Sequence, residues 1–366
     1  MINRIPPIYF YIPQQDWPTS TLPKSANTYW ANFEGNFTSG VYAWTLQTYL
    51  RLKEDDFPCE FTGTLPTEGI VLAHRCSLPF HLKPGTRVLI VCLKADYEQH
   101  PYAQLHVVLN FEEIKTLRNG YYMPHWPQAG LIPRAPTRKE LFENVAFFGI
   151  EKNLAPELQT PSWQEQLKAL GLRWHVVGRD RWNDYSYVDA ILAVRSFEHK
   201  DYTRKPATKL YNAWHAGVPA ILGCESAFQA ERQSELDYLE VSSLNDSILA
   251  LRLLRDDAKL RHAMVENGRL RALETQPDKL VTRWRSFLTD VAIPAWERWC
   301  KASNWSKQIY LARQYLAIKE NYLQPYYSVD TEQAGKERIG IQEQAIISTI
   351  QLSEKIQSKF KKLLKS

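Results

Sequence analysis

Apolar residues fall along the chain in short unbroken runs divided by stretches of helical periodicity. Residues 8–12, 70–73, 87–93 and 104–110 have strand length and lack the strict alternation of a half-exposed sheet. Residues 41–52 carry apolar and aromatic side chains at helical spacing. Continuous apolar strands interleaved with helices predict a mostly parallel sheet covered by helices on both faces. Residues 120–136, GYYMPHWPQAGLIPRAP, are too rich in proline and glycine to continue either element, and they mark a domain boundary.

A second α/β run begins at residues 145–149. A helix is expected over 162–169 with Ser162 as its N-cap, strands over 174–177 and 190–194, and a helix over 243–255. Between them lies KPATKLYNAWHAGVPAILG, residues 205–223. Pro206 suits the start of a helix, Gly217 its left-handed end, and Pro219 blocks continuation, so the helix spans 207–216 and a buried strand follows over 218–222. From 258 to 323 the chain reads as helical, with Trp284, Phe287, Trp296 and Trp299 on recurring faces and a kink at Pro294.

Two α/β domains in tandem leave a cleft between them, and ligands of open α/β sheets bind beyond the carboxyl ends of the strands. The expected division is 1–130, 131–290, a helical return over 291–330, and a tail over 331–366. In that tail Ile346, Ile350, Ile356, Phe360 and Leu363 stripe a helix ending in SKFKKLLKS. It suits packing on the body or a partner, or an amphipathic contact with anionic lipid.

Composition narrows the function classes. In 366 residues the aromatic content is 12% and the formal net charge +5, which describes a packed globular protein without the basic surface that nucleic acid demands. The start of the chain lacks a signal peptide's apolar region, and no apolar run is long enough to cross a membrane, so a cytoplasmic protein is expected, with peripheral membrane contact through the tail as a variant. The five cysteines are scattered, which fits reduced core thiols and no zinc site.

The candidate chemistry is anion binding. Lys205 stands at the mouth of the 207–216 helix and Lys209 one turn in, where the free backbone N–H groups favour an anion and a phosphate would relieve the repulsion between the two ammonium groups. Arg195 follows the 190–194 strand and offers its planar fork to the same place. Glu225 and Ser226 follow the next strand, with Ser226 also a candidate N-cap. Gly149 ends the 145–149 strand, where a glycine either lets the backbone approach a nucleotide closely or simply makes a turn. In the first domain, residues 32–40, NFEGNFTSG, form a polar loop with Gly35, Asn36 and Gly40 on the acceptor side. His74 and Asp96, each just beyond a strand, are the candidate general bases. Trp182, beside Arg179, Arg181 and Asn183, is a base-stacking aromatic or a core residue.

FFG at 147–149, WNDYSYVDAILAVR at 182–195 and the 205–223 element together resemble the C-terminal half of a GT-B-fold glycosyltransferase of the family 4-like group. The resemblance covers about 120–285 and reaches the N-terminal third only in pattern. It implies two Rossmann-like domains facing a cleft, a UDP- or GDP-type nucleotide-sugar donor held by the C-terminal domain, and an acceptor glycan, lipid-linked sugar, protein or small molecule on the other. Where many members carry two glutamates seven residues apart, this chain has Arg204 and Asn212, so it looks like members with a K-x-x-x-K-L helix start, in which Thr208 and Asn212 join the lysines near the donor. No DxD element closes a strand, and a metal-independent transfer is expected, with no cofactor besides the donor. A sugar-nucleotide epimerase of the same fold and a non-catalytic binding protein are the alternatives.

Overall fold

The computed structural model describes residues 5–17, 22–29, 39–198, 200 and 202–323. The first lobe is a six-stranded, wholly parallel sheet of β1 (Ile8–Tyr11), β2 (Glu60–Thr62), β3 (Gly69–His74), β4 (Val88–Leu93), β5 (Leu105–Val108) and β6 (Gly120–Tyr122), in the order β2-β1-β3-β4-β5-β6. Every residue of β3 and β4 is buried, as their unbroken apolar runs require of strands covered on both faces. Ile70, Leu72, Leu89 and Val91 pack on one face with Trp44, and Val71, Ala73, Ile90 and Cys92 pack on the other with Leu78 and Ala103.

Two expectations are corrected here. The helix expected over 41–52 opens as a π-helical segment, Val41–Leu46, before continuing as α1 (Gln47–Glu54). Among the described residues it is the lobe's only α-helix ahead of the second sheet, since the connections after β3 and β5 hold only short 3-10 turns. The boundary segment 120–136 does contribute a strand: Gly120–Tyr122 pairs in parallel with His106–Val108 as the sheet's edge. An edge strand needs one partner only, so a glycine-led triplet suffices.

The second lobe is a five-stranded parallel sheet of β7 (Asn144–Phe148), β8 (Arg173–Val177), β9 (Ala190–Ala193), β10 (Ala220–Gly223) and β11 (Leu239–Val241), in the order β11-β10-β9-β7-β8. Its helices are α2 (Pro161–Ala169), α3 (Thr208–Ala216), α4 (Ser226–Glu231), α5 (Leu244–Asp256) and α6 (Ala258–Ala272). The cap of α2 is Thr160, whose hydroxyl accepts from Trp163 N at 3.2 Å, and not Ser162, because Pro161 takes the first helical position. Gly217 ends α3 at φ 67°, a conformation in which a Cβ is strained.

The linker is tied to this lobe through Asp189, 2% exposed, which accepts from Arg134, Arg138 and the N–H groups of Glu143 and Asn144. Burial pushes its carboxyl up, and these donors outweigh burial and hold it below the usual range.

The chain returns with α7 (Pro277–Ser286), a π-helical segment (Phe287–Ala292), α8 (Ile293–Lys301) and α9 (Asn304–Leu323). Leu280, Trp284, Phe287 and Leu288 join the first lobe's core, so the return starts before the expected residue 291. Pro294, where a kink is expected, stands in the first turn of α8, where its missing N–H costs little, directly after the π-helical segment. Both sheets belong to one compact unit that ends at Tyr315.

Candidate anion site at the strand ends

Three neighbouring strands of the second sheet, β7, β9 and β10, deliver Gly149, Arg195 and Glu225 at their carboxyl ends, and the start of α3 brings Lys205, Thr208 and Lys209 to the same region. Arg195 donates from Nε to Glu225 Oε2 at 3.0 Å, with side chains 14% and 4% exposed. Lys209 Nζ sits 5.3 Å from the centroid of the Phe147 ring and has no hydrogen-bond acceptor or ion-pair partner among the described residues. Burial, then the charges of Arg195 and Lys205, bring its amine down to about 7 against the partial support of Glu225. No side chain caps the first turn of α3.

Gly149 has a packing reason. A Cβ there would lie 2.7 Å and 2.8 Å from Phe147 Cζ and Cε1, so the glycine lets the ring lie where Lys209 covers it.

The first lobe closes on this cluster. Lys205 Nζ donates to Asp96 Oδ2 at 2.7 Å, and Arg204 lies 3.7 Å from Glu98. Asn110 Nδ2 reaches the carbonyls of Tyr202 and Lys205 and the hydroxyl of Ser226 at 3.4, 3.2 and 3.0 Å. Three cations, Arg195, Lys205 and Lys209, thus face two carboxylates, Glu225 and Asp96, and the cluster is left with one positive charge when Lys209 is protonated.

The two candidate bases differ in kind. His74, 1% exposed at the end of β3, accepts from Cys76 N at Nδ1, 3.2 Å away, which assigns its proton to Nε2. That nitrogen is buried without a partner among the described residues, and a Cβ on Gly40 would stand 2.9 Å from it. Burial brings the imidazole down to about 4, so near neutral pH His74 is a neutral donor and not a base. Gly40 accordingly acts as a packing residue against His74. At Asp96 partial burial pushes the carboxyl up, but the charge and hydrogen bond of Lys205 outweigh it and hold it low. A carboxylate so held is a weak base.

His74 makes the fold acid-sensitive. Its folded pKa lies below the ordinary 6.5, so the unfolded chain binds the extra proton between pH 6.5 and 4, and stability present above 6.5 is lost as pH falls through that window. His74→Gln is expected to flatten the slope of unfolding free energy against pH there by up to about 1.4 kcal/mol per pH unit. Urea denaturation of both proteins at pH 7 and pH 5 measures it, and an unchanged slope would refute the neutral assignment.

Other expected residues are placed elsewhere or differently. Asn212, 5% exposed, accepts from Gln128 N at 2.9 Å and bonds the Tyr185 hydroxyl, so it pins the linker and is not turned to the cation cluster. Ser226 is not a cap: Glu225 occupies that position, and Ser226 accepts from Asn110. Trp182 is packed against the second core, donating to Val177 O at 2.9 Å. Gly35, Asn36 and residues 331–366 lie outside the described residues. Among the described residues no three metal-ligating side chains converge, and no helix is long and apolar enough to cross a membrane.

Sequence reasoning missed Asn110, Phe147 and Tyr202, the last of which places its ring 5.9 Å from the Arg195 guanidinium. The rule that selected His74 and Asp96, a polar residue just past a strand, also selects Asn110 past β5. An open recess of about 390 Å³ between Glu112 and Ser226, Gln229 and Ala230 adjoins the Asn110–Ser226 contact. A larger cavity of about 700 Å³ lies at the opposite end of α3, beside Gly217, where Arg134 and Arg261 are already paired with Asp189 and Glu140.

The sequence matches no protein-family model and no curated protein. Among solved structures, the chain is similar to the pneumococcal O-GlcNAc transferase GtfA in complex with UDP and GlcNAc, at 11% identity and TM-score 0.46 over 67% of this chain and 60% of that one. It is similar to HepE of Anabaena in complex with UDP and glucose, at 9% identity and TM-score 0.46 over 78% of this chain and 100% of that one. It is also similar to sucrose-phosphate synthase from Thermosynechococcus elongatus, at 14% identity and TM-score 0.43 over 62% and 74%. The chain therefore spans less than two thirds of the length of GtfA.

Proposed function

We propose that the protein is a glycosyltransferase that binds the diphosphate of a nucleotide sugar between Lys209, Lys205 and Arg195 and transfers the sugar to an acceptor hydroxyl. The observation that carries the reading is the half-buried Lys209 amine, held against the Phe147 ring with no anionic hydrogen-bond or ion-pair partner among the described residues beside two other cations. An amine in that setting gains most from an incoming anion, because the anion restores the charged form that burial disfavours.

In the transfer the bond between the anomeric carbon and the diphosphate oxygen breaks, and its electron pair leaves with the diphosphate. The acceptor oxygen bonds to the anomeric carbon, and its proton passes to the departing diphosphate or to water. Negative charge grows on the leaving oxygen, and cations already fixed there stabilise that transition state without reorganising. Lys209 supplies the free charge, while Arg195 and Lys205 are held in place by Glu225 and Asp96. Glu225 is committed to Arg195, so contact with donor hydroxyls is not assigned to it.

Incubation with UDP-, GDP- and ADP-sugars, with product analysis, tests the reading. Release of nucleoside diphosphate with a glycosylated or hydrolysed product, strongly reduced in Lys209→Ala, is the expected result. An epimerised sugar nucleotide with no diphosphate release would instead assign the epimerase reaction, and binding without turnover would leave a binding protein.

A further inference from the structure

We propose that Asn110, on the first lobe, is a positioning residue that assembles the second lobe's cation cluster, so that the cluster is complete only when the lobes are closed on it. The inference rests on the glycosyltransferase reading for what the cluster binds, but not for how the cluster is held. Asn110 is 1% exposed. Its Oδ1 accepts from Glu112 N at 3.0 Å, which fixes the amide and turns both Nδ2 protons across the lobe boundary. There they serve the Lys205 carbonyl and the Ser226 hydroxyl at 3.2 and 3.0 Å, with the Tyr202 carbonyl at 3.4 Å.

These acceptors belong to two segments that no strand pairing holds together. One is the loop that leads into α3 and carries Lys205. The other opens α4 and carries Glu225, which orients Arg195. A side chain of the opposite lobe thus ties together, at their cation-bearing ends, the segments that present two of the three cations. The Lys205–Asp96 pair closes the same boundary from the same lobe. Tyr122 bridges the same two helices farther from the cations, bonding Tyr211 of α3 and Glu231 at the end of α4, and among the described residues its hydrogen bonds do not reach the 202–206 loop. Anion affinity should therefore report on Asn110 and be indifferent to Tyr122.

The test compares wild type with Asn110→Ala, Asn110→Asp and Tyr122→Phe in the full chain. Amide hydrogen exchange over residues 202–209 and 225–229 is followed without ligand, and the Kd is measured for whichever of UDP, GDP and ADP the wild type binds. The expected result is faster exchange in both segments and binding weakened by about tenfold or more in the two Asn110 variants, the scale of lost hydrogen bonds to a site's supports. The aspartate should fare no better than alanine, since a carboxylate has no N–H to donate. Tyr122→Phe should lower the melting temperature with neither effect. Unchanged exchange in the Asn110 variants, unchanged affinity, or an equal loss in Tyr122→Phe overturns the proposal. If the wild type binds none of the three nucleotides, the glycosyltransferase reading fails and the exchange alone decides: loosening confined to the two segments upholds the positioning role, and its absence overturns it.

Discussion

Lys209→Ala is expected to weaken nucleoside diphosphate binding by about 10- to 150-fold, the effect of losing roughly 1.5–3 kcal/mol in a hydrogen bond to a charged group. The effect should be large because Lys209 is the cluster's one cation without an anionic partner among the described residues; Arg195 and Lys205 already spend part of their attraction on Glu225 and Asp96. It should also depend on pH. Burial and the neighbouring charges bring the amine to about 7, so the ligand-free site loses its net positive charge as pH rises through neutrality. Affinity should then fall from pH 6 to pH 8 in the wild type and much less in Lys209→Ala, with proton uptake on binding near pH 7. The linkage has a second face. Because the folded pKa lies below the ordinary 10.4, the unfolded chain holds the extra proton between pH 7 and 10.4, and stability rises with pH across that window. Lys209→Met removes that rise.

Arg195→Ala should cost the fold more than it costs the site. Glu225 is 4% exposed on its side chain, and its ion-pair partner is Arg195. Removing one member of a buried pair typically costs about 3–5 kcal/mol by leaving the other charge uncompensated, and here Glu225 keeps only the more distant charge of Lys209. The variant is expected to unfold at a markedly lower urea concentration, and Arg195→Ala combined with Glu225→Gln should recover part of the loss. A loss below about 1 kcal/mol, or no recovery in the double variant, would show that solvent screens the pair as it does at a surface. Either variant reports on binding only under conditions where it is folded, so affinity must be compared there.

The central strands were legible because their residues are buried on both faces and continuous apolar runs have few other uses in a short segment; the edge strand β8 was read as well, although its residues are largely exposed or half-buried. β3, β4, β9 and β10 all fall within a residue or two of the expected spans. The limits of α3 were legible for a stronger reason: Pro206, Gly217 and Pro219 restrict the backbone directly, and Gly217 does take the left-handed conformation. β2 and β6 were not legible, because edge strands of three residues are held by one neighbour and carry no periodicity of their own.

The site was legible to the same depth. The lysines and Arg195 could be placed at strand and helix ends from local signals. Asp96 and Glu225 could be placed past strands in the same way, but their pairing with these cations could not, because Asp96 is 109 positions from Lys205 and Glu225 is 30 from Arg195, and only the sheet order and the lobe contact bring them together. His74 shows the converse limit. Its position past a strand suggested a base, while the burial that removes its basicity comes from packing that spacing does not reveal.

Calorimetric titration of UDP, GDP and ADP into wild type and Lys209→Ala, at pH 6 and pH 8 in buffers of different ionisation heat, tests the central claim most directly. The predicted result is that the wild type binds one of the three, more tightly at pH 6 and with proton uptake near neutrality, and that Lys209→Ala loses about tenfold or more together with the pH dependence. Equal affinity in the two proteins, or no binding by the wild type at either pH, would contradict the assignment of this cluster as the diphosphate site.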